Sequence, residues 1–333
     1  MRRLGRLAVI ALVFATTASA APPASRFHIE YRVVVPPTER AKRLALWIPY
    51  PAEDPDQKVL NADVRSPLPW EIRTERRFGN RMVFLQGKGS EHPTEVLLSF
   101  EIERSPSFGR PRSILLAGGE LDPDRYRDSD RLVPIDRQIR AMAAEATRDV
   151  PPGDQAKAIY DYVVRLLDYN KEGTGWGRGD VAWVCANRRG NCTDFHSLFI
   201  ALARARGIPA RFVIGLPIPA VPGEGGVIPG YHCWAEFFDE AKGWRPVDAT
   251  EGKKSGRPDD YFGKLPSNRV QFAIGRDVVL EPPQSGGPLN FFIEPYAEAD
   301  GKPVAGLTHE FRYERSPVVS SAFPSPQIES LQQ

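Results

Sequence analysis

Apolar and polar residues alternate along two long stretches near the start of the chain. One stretch runs from Phe27 to Val35 and the other from Val96 to Ile102, each with an apolar residue at every second position. This alternation is typical of strands that bury one face. Two shorter apolar runs, at 44–48 and 82–85, lie between them and are bounded by Pro, Gly and Asn. Several short strands separated by turn residues predict a sandwich-like β-domain.

The hydrophobic period becomes helical after residue 130. Apolar residues recur every three or four positions from Ile135 to Ala146 and from Ala156 to Leu166, on either side of a Pro-Pro-Gly breaker. This spacing predicts two helices. A strand pattern follows at 210–214. After it comes a Pro- and Gly-rich loop at 216–230, whose length is typical of a functional segment.

The stretch 190–207 carries the strongest local signals in the chain. Asn191 is a preferred N-cap, Asp194 can complete a capping box, and the apolar residues that follow have helical spacing up to a stop signal at Gly207. This pattern places Cys192 at the first helical position. Unpaired amides and the positive end of the helix dipole favour an anion there, so we expect the thiol to lean toward the thiolate.

The first 20 residues have the pattern of a secretory signal peptide. Three arginines precede an apolar run from Leu7 to Ala15, and a small-residue cleavage site ends at Ala20. We therefore expect cleavage after Ala20 and a periplasmic or secreted bacterial protein. The apolar run is too short to span a bilayer, and no later segment is long enough. Cleavage would change the formal charge from +2 to −1, which argues against binding to nucleic acid or to an anionic membrane.

Composition shifts divide the rest of the chain. We expect a β-rich N-terminal domain over residues 21–120, a second domain over 121–300 and a C-terminal extension over 301–333. The Ser-, Pro- and Gln-rich tail from about residue 316 is expected to be disordered. Three cysteines are too few for a disulfide scaffold, so at least one thiol should remain free.

Two strand patterns, at 231–238 and 244–248, are separated by a segment of hairpin length. If Phe238 faces Trp244, then Trp234 faces Asp248, and His232 lies diagonally across from that carboxylate on the same face. A one-residue slip would separate them. The register therefore predicts an imidazole beside a carboxylate.

A thiol at a helix start, an imidazole and a carboxylate are the parts of nucleophilic acyl transfer. The imidazole takes or shares the thiol proton, and the carboxylate fixes its tautomer and stabilises its charged form. Free amides around Cys192 would stabilise the oxyanion.

The motifs at 190–194, 204–211, 231–234 and 243–248 resemble the core of the transglutaminase-like superfamily, which comprises papain-like thiol enzymes. The resemblance covers roughly residues 130–300. It implies an α+β fold in which a helix that bears the cysteine packs on an antiparallel sheet that bears the histidine and the aspartate. It also implies that Cys192 is the nucleophile, His232 the base and acid, and Asp248 the orienting group.

Relatives of this kind often supply an upstream oxyanion donor, for which Tyr169, Trp176 and Trp183 are all candidates here. A metal site is the chemical rival, because Cys192 and His196 are four residues apart and His232 and Asp248 could add ligands. Strand alternation places Cys233 on the opposite face from His232, however. We therefore expect no metal and no cofactor.

Cys185 and Cys233 are either joined by a disulfide or both reduced and buried, and the sequence leaves these alternatives open.

These patterns predict an enzyme for thiol-dependent acyl transfer on carboxamide or peptide bonds, through a thioester. Hydrolysis, as in a peptidase or amidase, is favoured over cross-linking. The expected substrate is a peptide or protein, such as a cell-wall peptide. The alternative is an exported, non-catalytic module that retains the fold and binds peptide or glycan.

Overall fold

The computed structural model describes residues 24–109, 122–219 and 225–316. The predicted signal peptide, the tail beyond residue 316, residues 110–121 and part of the 216–230 loop lie outside the described residues. Within these ranges the α-helices are α1 Arg137–Ala146, α2 Gln155–Leu166, α3 Val181–Asn187, α4 Cys192–Ala205 and α5 Ala249–Ser255. Short 3₁₀ helices span Pro123–Arg127, Pro152–Asp154 and Pro258–Tyr261.

The strands of the same ranges, numbered in chain order, are β1 Ser25–Val35, β2 Leu44–Pro49, β3 Gln57–Arg65, β4 Trp70–Thr74, β5 Arg81–Gly87, β6 Thr94–Arg104, β7 Asp168–Tyr169, β8 Arg189–Gly190, β9 Ala210–Pro217, β10 Gly225–Ile228, β11 His232–Asp239, β12 Gly243–Val247, β13 Arg269–Ile274, β14 Tyr296–Ala299, β15 Lys302–Pro303 and β16 Thr308–Ser316.

Two five-stranded antiparallel sheets make up the β-rich part. Their strand orders are β10-β16-β1-β6-β3 and β15-β14-β2-β5-β4. Alternate residues of β1 and β6 are buried, as the alternation predicts, and side chains from both sheets enter one hydrophobic cluster. The late strands β14 and β16 pair with the early strands β2 and β1, so these sheets combine strands from both ends of the described part of the chain. The strands β3 and β4 were not predicted, because their exposed residues lack a clear apolar alternation.

A four-stranded antiparallel sheet, in the order β12-β11-β9-β13, forms the second part with the helices. Helix α4 contacts β11 and β9 of this sheet and is surrounded by α1, α2 and α3. Every residue of α4 from Cys192 to Arg204 is buried, which is the pattern of a central core helix. The α+β fold class predicted from the sequence, with a helix packed on an antiparallel sheet, is confirmed.

Helix α4 is also fixed at its C-terminal end. Arg204 is buried, and its Nε donates to the carbonyl oxygen of Ala210 at 2.9 Å while Nη1 lies 2.7 Å from Oδ2 of Asp130. A buried guanidinium is stable only when it is paired and hydrogen bonded, so these bonds fix the helix relative to β9. The position of α4, and of Cys192 at its start, is therefore fixed.

The two parts of the molecule meet at β13. Phe272 on β13 makes edge contacts with Tyr31, Phe100 and Phe311 of the first sheet. Gln57, which is fully buried, accepts from the amide of Gln271 at 2.8 Å and donates to its carbonyl oxygen at 2.8 Å. Because the side chain of Gln57 satisfies both backbone groups, it extends the hydrogen-bond ladder from β3 to the sheet that carries the candidate site.

Candidate active site

Cys192 is the first residue of α4, as predicted. The side chain of Asn191 accepts from the amide of Thr193 at 2.9 Å, and Asp194 Oδ2 accepts from the amide of Asn191 at 2.9 Å, which completes the capping box. Asp194 also accepts from the amides of Gly177 and Gly179, at 2.7 and 2.9 Å. One buried carboxylate thus fixes both the helix start and the glycine-rich segment beside it.

Gly190 allows the capping box to close. Its φ is +154°, and a Cβ atom there would lie 2.2 Å from Oδ2 of Asp194. Any side chain would push the carboxylate away from the amide of Asn191. The glycine two positions before Cys192 is therefore a requirement of the helix start.

His232 and Asp248 are in contact, and the hairpin has the predicted register. Phe238 is paired with Trp244 and Ala235 with Val247. The Nε2 atom of His232 lies 2.6 Å from Oδ2 of Asp248, and both side chains are buried.

Asp248 is the N-cap of α5 and has several partners. Its Oδ1 accepts from Thr250 Oγ1 at 2.8 Å and from the amide of Glu251 at 3.1 Å, and Arg269 Nε lies 3.9 Å from Oδ2. Burial opposes ionisation, but the charge of His232 and its hydrogen bond outweigh that cost and hold the pKa of Asp248 well below its usual range.

His232 also hydrogen bonds the thiol of Cys192. Because Nε2 contacts Asp248, Nδ1 is the ring nitrogen left for the sulfur. Burial lowers the pKa of His232, but the charge and hydrogen bond of Asp248 prevail and raise it to about 9. A hydrogen bond from Cys233 lowers the pKa of Cys192, and the hydrogen bond and charge of His232 lower it further. Burial opposes these effects, but the pKa stays well below its ordinary value. The arrangement favours a thiolate beside an imidazolium.

The expectation that Cys233 and His232 lie on opposite faces was wrong. Its Sγ lies 3.7 Å from Oγ1 of Thr193 and 3.8 Å from Nδ1 of His196, so it faces the start of α4 on the same side as the imidazole of His232. Cys233 follows strand alternation, and His232 departs from it: Trp234 packs with Val213 on the other face. The pairing of β11 with β12 begins only at Ala235, so the end of the strand leaves the imidazole free to turn toward the helix.

All three cysteines are free thiols. Cys185 Sγ lies 3.7 Å from Sδ of Met142, and burial together with the charge of Asp136 raises its pKa to about 11. Cys233 is fully buried, and burial raises its pKa well above the ordinary value. Of the two alternatives for Cys185 and Cys233, the structure has the reduced thiols. Cys192 alone combines a lowered pKa with an adjacent imidazole.

His196 was considered from the sequence as a metal ligand. It is fully buried one turn after Cys192, and its Nε2 accepts from the amide of Ala249 at 3.0 Å. The same atom lies 3.6 Å from Oδ1 of Asp248. The only sequence signal for this contact was its spacing of four residues from the cysteine, which puts both on one side of the helix.

The described residues bring three potential metal ligands together: His232, Asp248 and Glu251 have ligand atoms within 4.8 Å of one another. His232 and Asp248 were also in the group of possible ligands considered from the sequence. Cys192 and His196, the other two members of that group, are not in this set. Arg269 lies 3.9 Å from both carboxylates, so a cation is already present at this cluster.

The amides at the start of α4 differ in their partners. Those of Asn191, Thr193 and Asp194 are all hydrogen bonded, whereas within the described residues the amide of Cys192 has no partner. Trp176, one predicted oxyanion donor, gives its Nε1 hydrogen to the carbonyl oxygen of Gly173 at 3.0 Å. The Cys192 amide is therefore available as a donor next to the thiol.

Tyr231 was missed as a residue of the site. Its hydroxyl lies 3.1 Å from Oγ1 of Thr193 and 3.5 Å from Nδ2 of Asn191. Burial raises the pKa of the Tyr231 hydroxyl above its ordinary value. Its position directly before His232 was the available signal. The phenol covers the first turn of α4 beside the thiol.

Residues 140–249 match the family model described as the transglutaminase-like superfamily. This segment, which contains Cys192, His232 and Asp248, is similar to that superfamily. In the part of the chain that the structure describes, no helix has the length and apolar character needed to cross a membrane.

Two relatives and one solved structure extend the comparison. The chain is 27% identical over 333 residues to an uncharacterized protein of Haemophilus influenzae, covering 86% of this chain and 89% of the relative. A stretch of 143 residues is 28% identical to the uncharacterized protein YebA of Bacillus subtilis, covering 39% of this chain and 19% of that protein. The crystal structure of a Cytophaga hutchinsonii protein provisionally described as a cysteine protease superposes with a TM-score of 0.56 and 15% identity. It covers 89% of this chain and 99% of its own, and it shares the fold.

Proposed function

We propose that the protein is a thiol enzyme that transfers acyl groups from carboxamide or peptide bonds, with Cys192 as nucleophile, His232 as base and acid, and Asp248 as the group that orients the imidazole. The observation that supports this best is the buried 2.6 Å contact between His232 Nε2 and Asp248 Oδ2, on a ring that also hydrogen bonds the Cys192 thiol. A carboxylate that holds an imidazole against a thiol is the arrangement of an activated nucleophile.

In the first half of the reaction the Cys192 thiolate attacks the carbonyl carbon, and the carbonyl oxygen becomes an oxyanion. The amide of Cys192, which has no partner among the described residues, donates to that oxygen at the positive end of the α4 dipole. The imidazolium of His232 then gives its Nδ1 proton to the departing nitrogen. The carbon–nitrogen bond breaks, the amine or ammonia leaves, and a thioester remains on Cys192.

In the second half, neutral His232 takes a proton from water, and the resulting hydroxide attacks the thioester. The carbon–sulfur bond breaks, the carboxylic acid is released, and thiolate and imidazolium are restored. Asp248 keeps its charge throughout, since its role is to stabilise the imidazolium. We propose hydrolysis in preference to transfer to a second amine, and a peptide or protein as substrate, such as a cell-wall peptide.

We propose that this chemistry takes place in the periplasm or outside the cell, because residues 1–20 have the pattern of a signal peptide. Arginines before an apolar run and a small-residue cleavage site support that location.

A peptide library screened for release of ammonia or amine tests the function directly. We expect release by the wild-type protein and none by Cys192→Ala. Cys185→Ala is the matched control, because it removes a thiol with a raised pKa away from the imidazole and should keep full activity. Mass spectrometry of the quenched reaction should find the acyl group on Cys192. Release that persists in Cys192→Ala would exclude the mechanism, and binding of peptide or glycan without release would favour the non-catalytic module.

A further inference from the structure

We propose that His196 is a positioning residue that fixes the Asp248 carboxylate relative to the Cys192 thiol. The proposal rests on the proposed acyl-transfer function, because it gives His196 a task in that same site. His196 and Cys192 share helix α4, whereas Asp248 lies on a different element and must be brought to a defined place beside it. A side chain that joins the two elements determines the geometry of all three reacting groups.

The joining contact is a single buried hydrogen bond. Ala249, the first residue of α5 and the neighbour of Asp248, donates its amide to Nε2 of His196 at 3.0 Å. The first amides of a helix have no partner within the helix. Asp248 itself caps the amide of Glu251, and His196 satisfies the amide of Ala249 from outside. The start of α5, and the carboxylate on it, is thereby held to α4 one turn after Cys192.

This bond requires a neutral imidazole of one tautomer. A backbone amide only donates, so Nε2 of His196 must be unprotonated and the ring proton must sit on Nδ1. Nδ1 lies 3.8 Å from Cys233 Sγ, and the ring also hydrogen bonds the Cys192 backbone. Burial lowers the pKa of His196, which keeps the ring neutral. Protonation would break the bond to Ala249 and place a second cation 3.6 Å from Asp248 Oδ1.

The titratable groups that face His196 come from every element packed on it. They are Cys192 on α4, His232 and Cys233 on β11, and Asp248 before α5. All of them belong to the candidate site, so a pH profile of the wild-type protein alone does not isolate His196. A comparison of variants at this one position does.

Substitution of His196 by glutamine, asparagine or leucine distinguishes the role of Nε2 from that of Nδ1. The amide oxygen of His196→Gln reaches about as far as Nε2 and can still accept from Ala249, whereas His196→Asn reaches only as far as Nδ1, and His196→Leu fills the space without an acceptor. We expect His196→Gln to keep kcat within about tenfold. His196→Asn and His196→Leu should lose roughly 10²-fold in kcat with little change in KM, the loss expected when a reacting group moves by about 1 Å.

A second readout needs no substrate. The rate at which iodoacetamide alkylates Cys192, followed against pH by mass spectrometry, reports the thiolate fraction. In His196→Asn and His196→Leu we expect the profile to move to higher pH, because a displaced Asp248 stabilises the imidazolium less. His196→Gln should keep the wild-type profile. If the proposed function fails, no substrate releases amine, but the profile still tests His196.

Two results would overturn the proposal. One is that asparagine or leucine at residue 196 lowers the melting temperature and leaves kcat and the alkylation profile unchanged, as a purely structural role requires. The other is that all three variants lose activity equally, which would show that the Nε2 acceptor has no special importance. Should His196→Leu fail to fold, the matched pair of His196→Gln and His196→Asn decides the question.

Discussion

The Nε2 atom of His232 lies 2.6 Å from Oδ2 of Asp248, although the two residues are sixteen positions apart and on different elements. The contact has opposite effects on the two groups: it raises the pKa of His232 to about 9 against the effect of burial, and it holds the pKa of Asp248 well below its usual range. Between the lowered pKa of Cys192 and about pH 9, the site therefore holds a thiolate, an imidazolium and a carboxylate.

The pH dependence of Cys192 reactivity follows from this relationship. Alkylation by iodoacetamide should rise through the lowered pKa of Cys192 and already be fast at neutral pH, where Cys185 reacts slowly because burial raises its pKa to about 11. His232→Ala removes the cation, so the Cys192 pKa should rise and the rate at neutral pH should fall by at least about tenfold, which corresponds to about 1.4 kcal/mol. Acyl transfer should also fall as pH rises through about 9, where the imidazolium loses its proton. Cys185 is the internal control, and equal rates for the two thiols would contradict the prediction.

Asp248 has two tasks that a pair of variants separates. Asp248→Asn keeps an oxygen that can cap α5, but it removes the charge that stabilises the imidazolium, so we expect kcat to fall by at least about 10²-fold with a small change in stability. Asp248→Ala removes the cap as well and should cost about 1 kcal/mol more in the free energy of unfolding. Kinetics and urea denaturation measure the two effects. Equal activity of the asparagine variant and wild type would show that the carboxylate has no role in the reaction.

Cys233 should lower the pKa of Cys192 as a hydrogen-bond donor. Its thiol is fully buried, its own pKa is raised, and its hydrogen bond lowers the pKa of Cys192. Cys233→Ala should therefore move the alkylation profile of Cys192 to higher pH. Cys233→Ser keeps a donor of similar size and should move it less. The interpretation fails if both variants retain the wild-type profile.

The local features of the site were predictable because they depend on short segments. The capping box of Asn191 and Asp194 needs only residues three positions apart, and the register that pairs Phe238 with Trp244 follows from the length of one hairpin. Both predictions were confirmed.

Features that depend on how elements pack were not predictable in the same way. The turn of the His232 side chain toward α4 arises where β11 extends past β12, and no alternation rule contains that information. The contact of His196 with Ala249 joins two helices 53 positions apart. The pairing of β16 with β1 likewise joins the two ends of the described chain. Such contacts depend on tertiary packing, so a pattern read along the chain does not show them.

Asp194 should be important for both stability and activity, because one carboxylate satisfies the amides of Asn191, Gly177 and Gly179. Asp194→Ala leaves these amides without an acceptor, and we expect the free energy of unfolding to fall by at least about 2 kcal/mol. Activity should fall further than stability explains, since Cys192 lies in the turn that the carboxylate caps. Asp194→Asn is the matched control, because its one oxygen still accepts from some of the amides, and it should lie between wild type and alanine. Urea denaturation and the Cys192 alkylation rate, measured well below the unfolding midpoint, test both effects. A variant as stable and as reactive as wild type would show that the capping box does not hold the thiol in place.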